Sequence, residues 1–312
     1  MTTRLSAAAL VCAVLTGVMS TVGCSSSDAP ADDGCTGSGS AALKTCAAGA
    51  TVKGVDVSSY QGTVSWPSVK SAGRDFAFVR VSDGLNSPDS KFALNWPGAK
   101  NAGVIRGVYQ YFRPGQDPAA QAKLVIDKLN AAGGLKPGDL PPVLDLETAD
   151  GLASSTVVAN AKTWLAKIEA GTGVKPIVYT AAFMSSVIGT SFGGYTLWVA
   201  NYGTTCPTMP SGWSDWQFWQ NDDAGNIAGI AGGVDTDMFN GTLALLQTHT
   251  IKSANPTDAG AGTGGGDVIS EIDKTDHAFG GNTPNDGSQG ATLGSGTPKA
   301  PQTQSAPLTP CQ

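Results

Sequence analysis

A chain of 312 residues, 41% hydrophobic and 14% charged, is long enough for one large core or two ordinary domains. Its net charge of -6, with no visible cluster of Lys and Arg, excludes the phosphate-neutralising surface that nucleic acid requires. Its two histidines, His249 and His277, come late in the chain. That placement argues against a Ser-His-Asp hydrolase, a His-ligated zinc hydrolase or a His proton shuttle.

The first residues have the pattern of an export signal. Arg4 supplies a positive charge, and Leu5 to Val22 is an almost unbroken run of apolar and small residues. The run ends at Thr21-Val22-Gly23-Cys24, before the polar tract Ser25-Ser26-Ser27-Asp28. This resembles a bacterial lipobox in which Cys24 is lipidated, with Thr21 where Leu is more usual. A short uncleaved anchor and a soluble product cut nearby are the alternatives. The expectation is a lipoprotein-type signal peptide over 1–24, a flexible tether over 25–50, and an exported protein held at a membrane by its lipid. Export permits disulfides. With Cys12 and Cys24 set aside, Cys35, Cys46, Cys206 and Cys311 allow three pairings. Proximity in sequence favours Cys35 with Cys46 and Cys206 with Cys311. No Cys-x-x-Cys occurs, which argues against a metal held through sulfur. No metal and no cofactor are expected.

From Val52 to about Gln247, strand-like and helical patterns alternate. Strands are predicted at Val52–Val57, Phe76–Ser82, Val104–Phe112, Pro142–Glu147, Pro176–Thr180, Leu197–Asn201, Trp216–Gln220 and Val234–Phe239. Helices are predicted near 66–72, 90–102, 117–132, 155–170 and 181–188. The third opens with Asp117 as a cap and Pro118 at the first helical position. Strands alternating with helices imply an α/β fold with a parallel sheet, and about eight strands suggest closure into a barrel. Few helices occur in the later half, so an irregular parallel (β/α) barrel is expected over 51–250. Residues 251–312 are dominated by Gly, Thr, Ser, Pro, Asn, Asp and Ala. Such a tail is read as low-complexity and mostly disordered, because it has too little apolar surface to offset chain ordering.

In an α/β barrel the chemistry gathers at the C-terminal strand ends. The run Pro142-Val143-Leu144-Asp145-Leu146-Glu147 puts Asp145 and Glu147 on one strand face and the leucines on the other. Adjacent carboxylates repel, which should raise the pKa of one and let it donate a proton to a glycosidic oxygen. Its ionised partner would then stabilise positive charge growing on the sugar. An isolated Asp-x-Glu more often merely solvates a strand end. Asp56 and Asp83 near other strand ends, and Asp235 with Asp237 in the last strand, suggest convergence on one barrel mouth.

The motif Gly54-Val55-Asp56-Val57-Ser58-Ser59-Tyr60-Gln61-Gly62 resembles the opening of glycoside hydrolase family 25, the Chalaropsis-type lysozymes. The resemblance continues through Phe78-Val79-Arg80-Val81-Ser82-Asp83-Gly84, Gly107-Val108-Tyr109-Gln110-Tyr111-Phe112 and Leu144-Asp145-Leu146-Glu147. It resumes at Leu197-Trp198-Val199-Ala200-Asn201-Tyr202, Trp216-Gln217-Phe218-Trp219 and Val234-Asp235-Thr236-Asp237. It covers about residues 52–247. It implies an irregular, flattened barrel that cuts the β-1,4 bond between N-acetylmuramic acid and N-acetylglucosamine in peptidoglycan. Glu147 would be the general acid and Asp145 its partner, either attacking the sugar or orienting the substrate acetamido group. Asp56 and Asp235 would complete the acidic floor. Candidate sugar contacts are Tyr60, Gln61, Asp83, Tyr109, Tyr111, Tyr179, Trp198, Asn201 and Gln217, flat rings and polar tips being suited to sugar faces. Two positions depart from the family pattern. Asp83 stands where Glu is common, and Gln110 where His is common; both would alter substrate contacts or pH optimum. A monomer acting on glycan strands is expected. A non-catalytic wall-binding module, and a glycosidase acting on other N-acetylhexosamine polymers, remain as alternatives.

Overall fold

Alternation of apolar side chains builds nine strands in the computed structural model, which describes residues 42–252. They are β1 (Thr51–Val57), β2 (Phe76–Asp83), β3 (Ser87–Pro88), β4 (Ile105–Tyr111), β5 (Val143–Asp145), β6 (Ile177–Ala181), β7 (Thr196–Ala200), β8 (Phe218–Gly225) and β9 (Val234–Asn240). The helices are α1 (Trp66–Ser71), α2 (Phe92–Asn101), α3 (Pro118–Ala131), α4 (Ser154–Thr172), α5 (Ser185–Ile188) and α6 (Leu243–Thr248). Residues 1–41, with the expected signal segment and Cys24, and the tail from 253 onward lie outside the described residues.

Pairing of β1 with β2 closes a barrel of eight strands, with the two-residue β3 beside β2. All barrel neighbours are parallel except β9, which runs antiparallel to both β8 and β1. The reason is the connection over 226–233, which is too short for a helical crossover and returns as a hairpin. The expected irregular α/β barrel is present, and β9 is the strand that departs from its parallel order. The reversal puts the start of β9, at Asp235, beside the end of β1, at Asp56.

Helices cover the earlier strands. Asp117 caps α3 by accepting from the backbone N–H of Ala119 and Ala120, with Pro118 following as the first residue. In α4, Val157, Ala161, Trp164, Leu165 and Ile168 are spaced to bury one face. They belong to one apolar layer with the outward side chains of the barrel, Val55, Val57, Ala77, Val79, Leu144, Leu146, Val178 and Val199. α6, which the sequence patterns did not single out, adds Leu246 to the inner core. Inside the barrel, Phe76, Phe78, Phe218 and Phe239 are fully buried and meet ring against ring. Each contributes about 1.5–3 kcal/mol by leaving water. Such rings fit only because Gly54 and Gly107 face them. A Cβ on Gly54 would enter the Phe76 ring, and one on Gly107 would lie 2.7 Å from Phe78.

Along β7 and β8 the segment over 201–217 takes a helix's place, and residues 42–48 lie against it. Cys46 is bonded to Cys206, Lys44 bridges Thr208, and the Trp216 Nε1–H donates to the Thr45 carbonyl at 2.7 Å. The pairing expected from proximity, Cys35 with Cys46 and Cys206 with Cys311, is thus wrong. Folding brings residues 160 apart to a Cα separation of 4.5 Å, whereas proximity in sequence carries no such information. Cys35 and Cys311 lie outside the described residues.

Candidate active site

Parallel strands aim their C-terminal ends at one mouth, so residue parity decides which side chains enter it. On β5, Leu144 and Leu146 are fully buried against the helices, while Asp145 lies on the opposite, inner face. The strand itself ends at Asp145, although Leu146 still donates its N–H to the Tyr179 carbonyl. Glu147 follows at the rim, half-buried. Asp56 is on the inner face of β1, directly opposite Asp235 on β9. Asp56 and Asp145 are only 3% and 6% exposed, so these carboxylates form the floor of the mouth.

Four tyrosines report the convergence of these charges. Burial is the first cause that pushes the hydroxyls of Tyr109, Tyr111, Tyr179 and Tyr202 well above the ordinary phenol range. Negative charge adds to it: Asp56, Asp145 and Asp235 act on Tyr109, and Glu147 with Asp145 acts on Tyr111 and Tyr179. Tyr202 feels Asp235, Asp56 and Glu147. All four phenols therefore stay protonated and act as donors at any working pH.

The sequence-derived contacts divide into two groups. Tyr109, Tyr111 and Tyr179 face the acidic mouth, and Tyr60 stands at its edge, 62% exposed, with the Arg80 guanidinium 4.9 Å from its ring centre. The others are engaged elsewhere. Gln61 closes a capping box, its Oε1 accepting from the Ser58 N–H at 2.9 Å. Asp83 takes a two-pronged ion pair from Arg113 at 2.6 and 2.8 Å, and that guanidinium also covers the Tyr111 ring. Trp198 is 1% exposed, stacked on Phe78 beneath the acids. The Asn201 Oδ1 accepts from the Thr208 N–H. Gln217 sits beside Leu197 near the start of β7, at the barrel end away from the mouth. Gln110 faces outward, donating to Ser82 Oγ and accepting from Trp164 Nε1–H, so its difference from the family pattern falls in the helix-side core.

Two inward residues were given no site role from the sequence, although Asp237 was expected at the mouth together with Asp235. Gln220 on β8 donates from Nε2 to Asp56 Oδ2 at 2.6 Å. Asp237 on β9 pairs in register with Gln220 on one side and Gly54 on the other, and is 1% exposed. The Trp198 Nε1–H donates to its Oδ1 at 2.9 Å. Two-residue alternation from Phe218 and from Asp235 would have pointed both inward, had the inner face of each strand been known. Among the described residues, no group of three or more His, Cys, Asp and Glu side chains could hold a metal ion.

Burial first, then the charges of Asp56 and Asp235, raise the Asp237 carboxyl well above the usual carboxylate range; Trp198 and Arg74 oppose the shift only in part. The folded chain thus binds this proton more tightly than the unfolded chain. The associated stability is complete below the unfolded pKa of about 3.9 and is lost as pH rises through the folded value. Asp237→Asn keeps the acceptor for Trp198 and removes the titration. Its stability relative to native, read as urea midpoints, is expected to climb from pH 4 to 9 by about 1.4 kcal/mol per tenfold weakening of the native acid. Parallel stability curves would show that Asp237 is ionised in the fold.

A barrel mouth floored by carboxylates and walled by aromatic rings is the architecture of a glycoside hydrolase. The chain belongs to glycosyl hydrolases family 25, whose family model matches residues 55–230. It is an enzyme of the lysozyme type. It is 36% identical over 216 residues to lysozyme M1 of Streptomyces globisporus, covering 65% of this chain and 72% of that protein. The N,O-diacetylmuramidase of a Chalaropsis species is 34% identical over 215 residues, covering 63% of this chain and 98% of its own length. The crystal structure of the bacterial lysozyme from Streptomyces coelicolor superposes with a TM-score of 0.59 at 35% identity, over 64% of this chain and 96% of that one.

Proposed function

We propose that the protein is a muramidase that hydrolyses the β-1,4 bond between N-acetylmuramic acid and N-acetylglucosamine in peptidoglycan. The observation that carries this reading is that half-buried Glu147, two residues past inward Asp145, acts on the same mouth tyrosines as Asp145, Asp56 and Asp235 in a family 25 barrel. Glu147 is accessible enough to reach a glycosidic oxygen and gives it a proton as the bond breaks. Asp145, buried beside it, is the partner carboxylate that faces the positive charge developing at the anomeric carbon. Asp56 and Asp235 hold the reacting sugar, and Tyr60 offers a ring at the cleft edge. The names of the Streptomyces and Chalaropsis relatives support the same bond.

Digestion of purified peptidoglycan, followed by mass analysis of new reducing ends, tests the assignment. Muramic acid at those ends is the expected result. Glucosamine ends, or cleavage of chitin but not peptidoglycan, would move the activity to another N-acetylhexosamine bond, and tight binding without new ends would leave a wall-binding module. We also propose export and anchoring through Cys24, supported by the apolar run and the Thr21-Val22-Gly23-Cys24 motif. Native protein should partition with membranes and Cys24→Ser should not; equal partitioning of the two would remove the lipid anchor.

A further inference from the structure

Gln220 joins two walls of the mouth through one amide. It is 4% exposed, on the inner face of β8. Its Oε1 accepts from the Tyr179 hydroxyl on β6 at 2.7 Å and from the Tyr202 hydroxyl after β7 at 2.6 Å. Its Nε2 donates to Asp56 Oδ2 on β1 at 2.6 Å. An amide is bipolar, and its orientation follows from its partners. Both phenols remain protonated and lie within hydrogen-bond reach of Oε1 and of each other, so Oε1 is an acceptor. The NH₂ end is then committed to Asp56, and the oxygen facing it must be an acceptor.

That commitment matters because of what else surrounds Asp56. Asp235 stands opposite it and Asp237 next to it on β9. Tyr109 on β4 feels its charge together with those of Asp145 and Asp235, and Tyr202 feels it with Glu147. Arg80 on β2, shared with Asp89 and Ser59, and Arg74, which acts on Asp237, are cations near this group. The charges of Asp145, Glu147 and Asp235 favour protonation of a buried Asp56, while Asp237 keeps its own proton; a fixed donor at 2.6 Å opposes it.

We propose that Gln220 is a positioning residue that holds Asp56 as an ionised acceptor and, through the same amide, fixes Tyr179 and Tyr202 on the opposite wall. The role of Asp56 in this proposal rests on the muramidase reading. A residue that merely fills the barrel would affect stability alone, whereas Gln220 also sets the protonation of a carboxylate two strands away.

The test compares native protein, Gln220→Glu and Gln220→Met. Gln220→Glu keeps the shape and the acceptor for the tyrosines but must share a proton with Asp56. The acid limb of kcat/KM is expected to move to higher pH by about one unit or more, with Gln220→Met moving it less in the same direction. A second readout needs no activity. The Asp56 side-chain carboxyl, identified by its absence in Asp56→Asn, is titrated by 13C NMR and should shift upward in the same order. If native protein cuts no peptidoglycan, the muramidase reading fails and the NMR titration alone still decides the role of Gln220. If neither the profile nor the titration moves in folded variants, the proposal is overturned.

Discussion

Glu147→Gln is expected to lower kcat on peptidoglycan by about 10²–10⁴-fold, which is about 3–5.5 kcal/mol of barrier. KM should change little, because the amide matches the carboxyl in shape and differs chiefly in having no proton to give. Thermal stability should be close to native, since Glu147 is only half-buried at the rim. The sharper check is the leaving group. An aryl glycoside that departs as an acidic phenol needs no proton, so Glu147→Gln should cost it far less than the natural polymer. Asp145→Asn should damage both substrates alike, because charge on the sugar develops whichever group leaves. Equal losses on both substrates for Glu147→Gln would remove the general-acid role.

Replacing both Cys46 and Cys206 by Ser is expected to reduce stability by about 2–5 kcal/mol, or roughly 5–15 °C in Tm. The bond closes a loop spanning 160 residues, so its loss frees a large part of the unfolded chain. It also releases residues 42–48 from the segment that covers β7 and β8 where no helix does. Activity at 25 °C should stay near native, because Asn201 and Tyr202 are also held from the barrel side by Trp219 and Gln220. Unchanged melting of the double variant would mean that backbone and Trp216 contacts suffice to hold the segment. Peptide mapping under non-reducing conditions should recover Cys46 linked to Cys206.

Several features were legible because they are local. A strand's period of two sorted Leu144 and Leu146 from Asp145, and it placed the inward Asp56 without any tertiary information. The Asp117-Pro118 pair marked the start of α3 to within a residue. Ordered motifs from Gly54 to Asp237 named the family. Residue identity alone did not reveal how polar groups are shared. Asp83, Gln61 and Asn201 are plausible sugar contacts by chemistry, yet each carries a bond to a residue distant or newly turned in the chain. Trp198 could have been platform or floor, and its contact with Phe78 makes it floor. Gln110 alternates with two inward tyrosines, so its substitution belongs to the packing of α4 and not to the mouth.

The sequence by itself determined the barrel class, the acids Asp145 and Glu147 at a strand end, and the motif that opens the first strand. These depend on spacing within a few residues, which covalent geometry sets. Only the tertiary structure decided that β9 reverses and puts Asp235 against Asp56, that Cys46 bonds Cys206, and that Gln220 bridges Asp56 to two tyrosines. Each depends on which distant segments meet when the barrel closes. That closure is a cooperative result of burying the phenylalanine floor, which no single stretch of chain encodes.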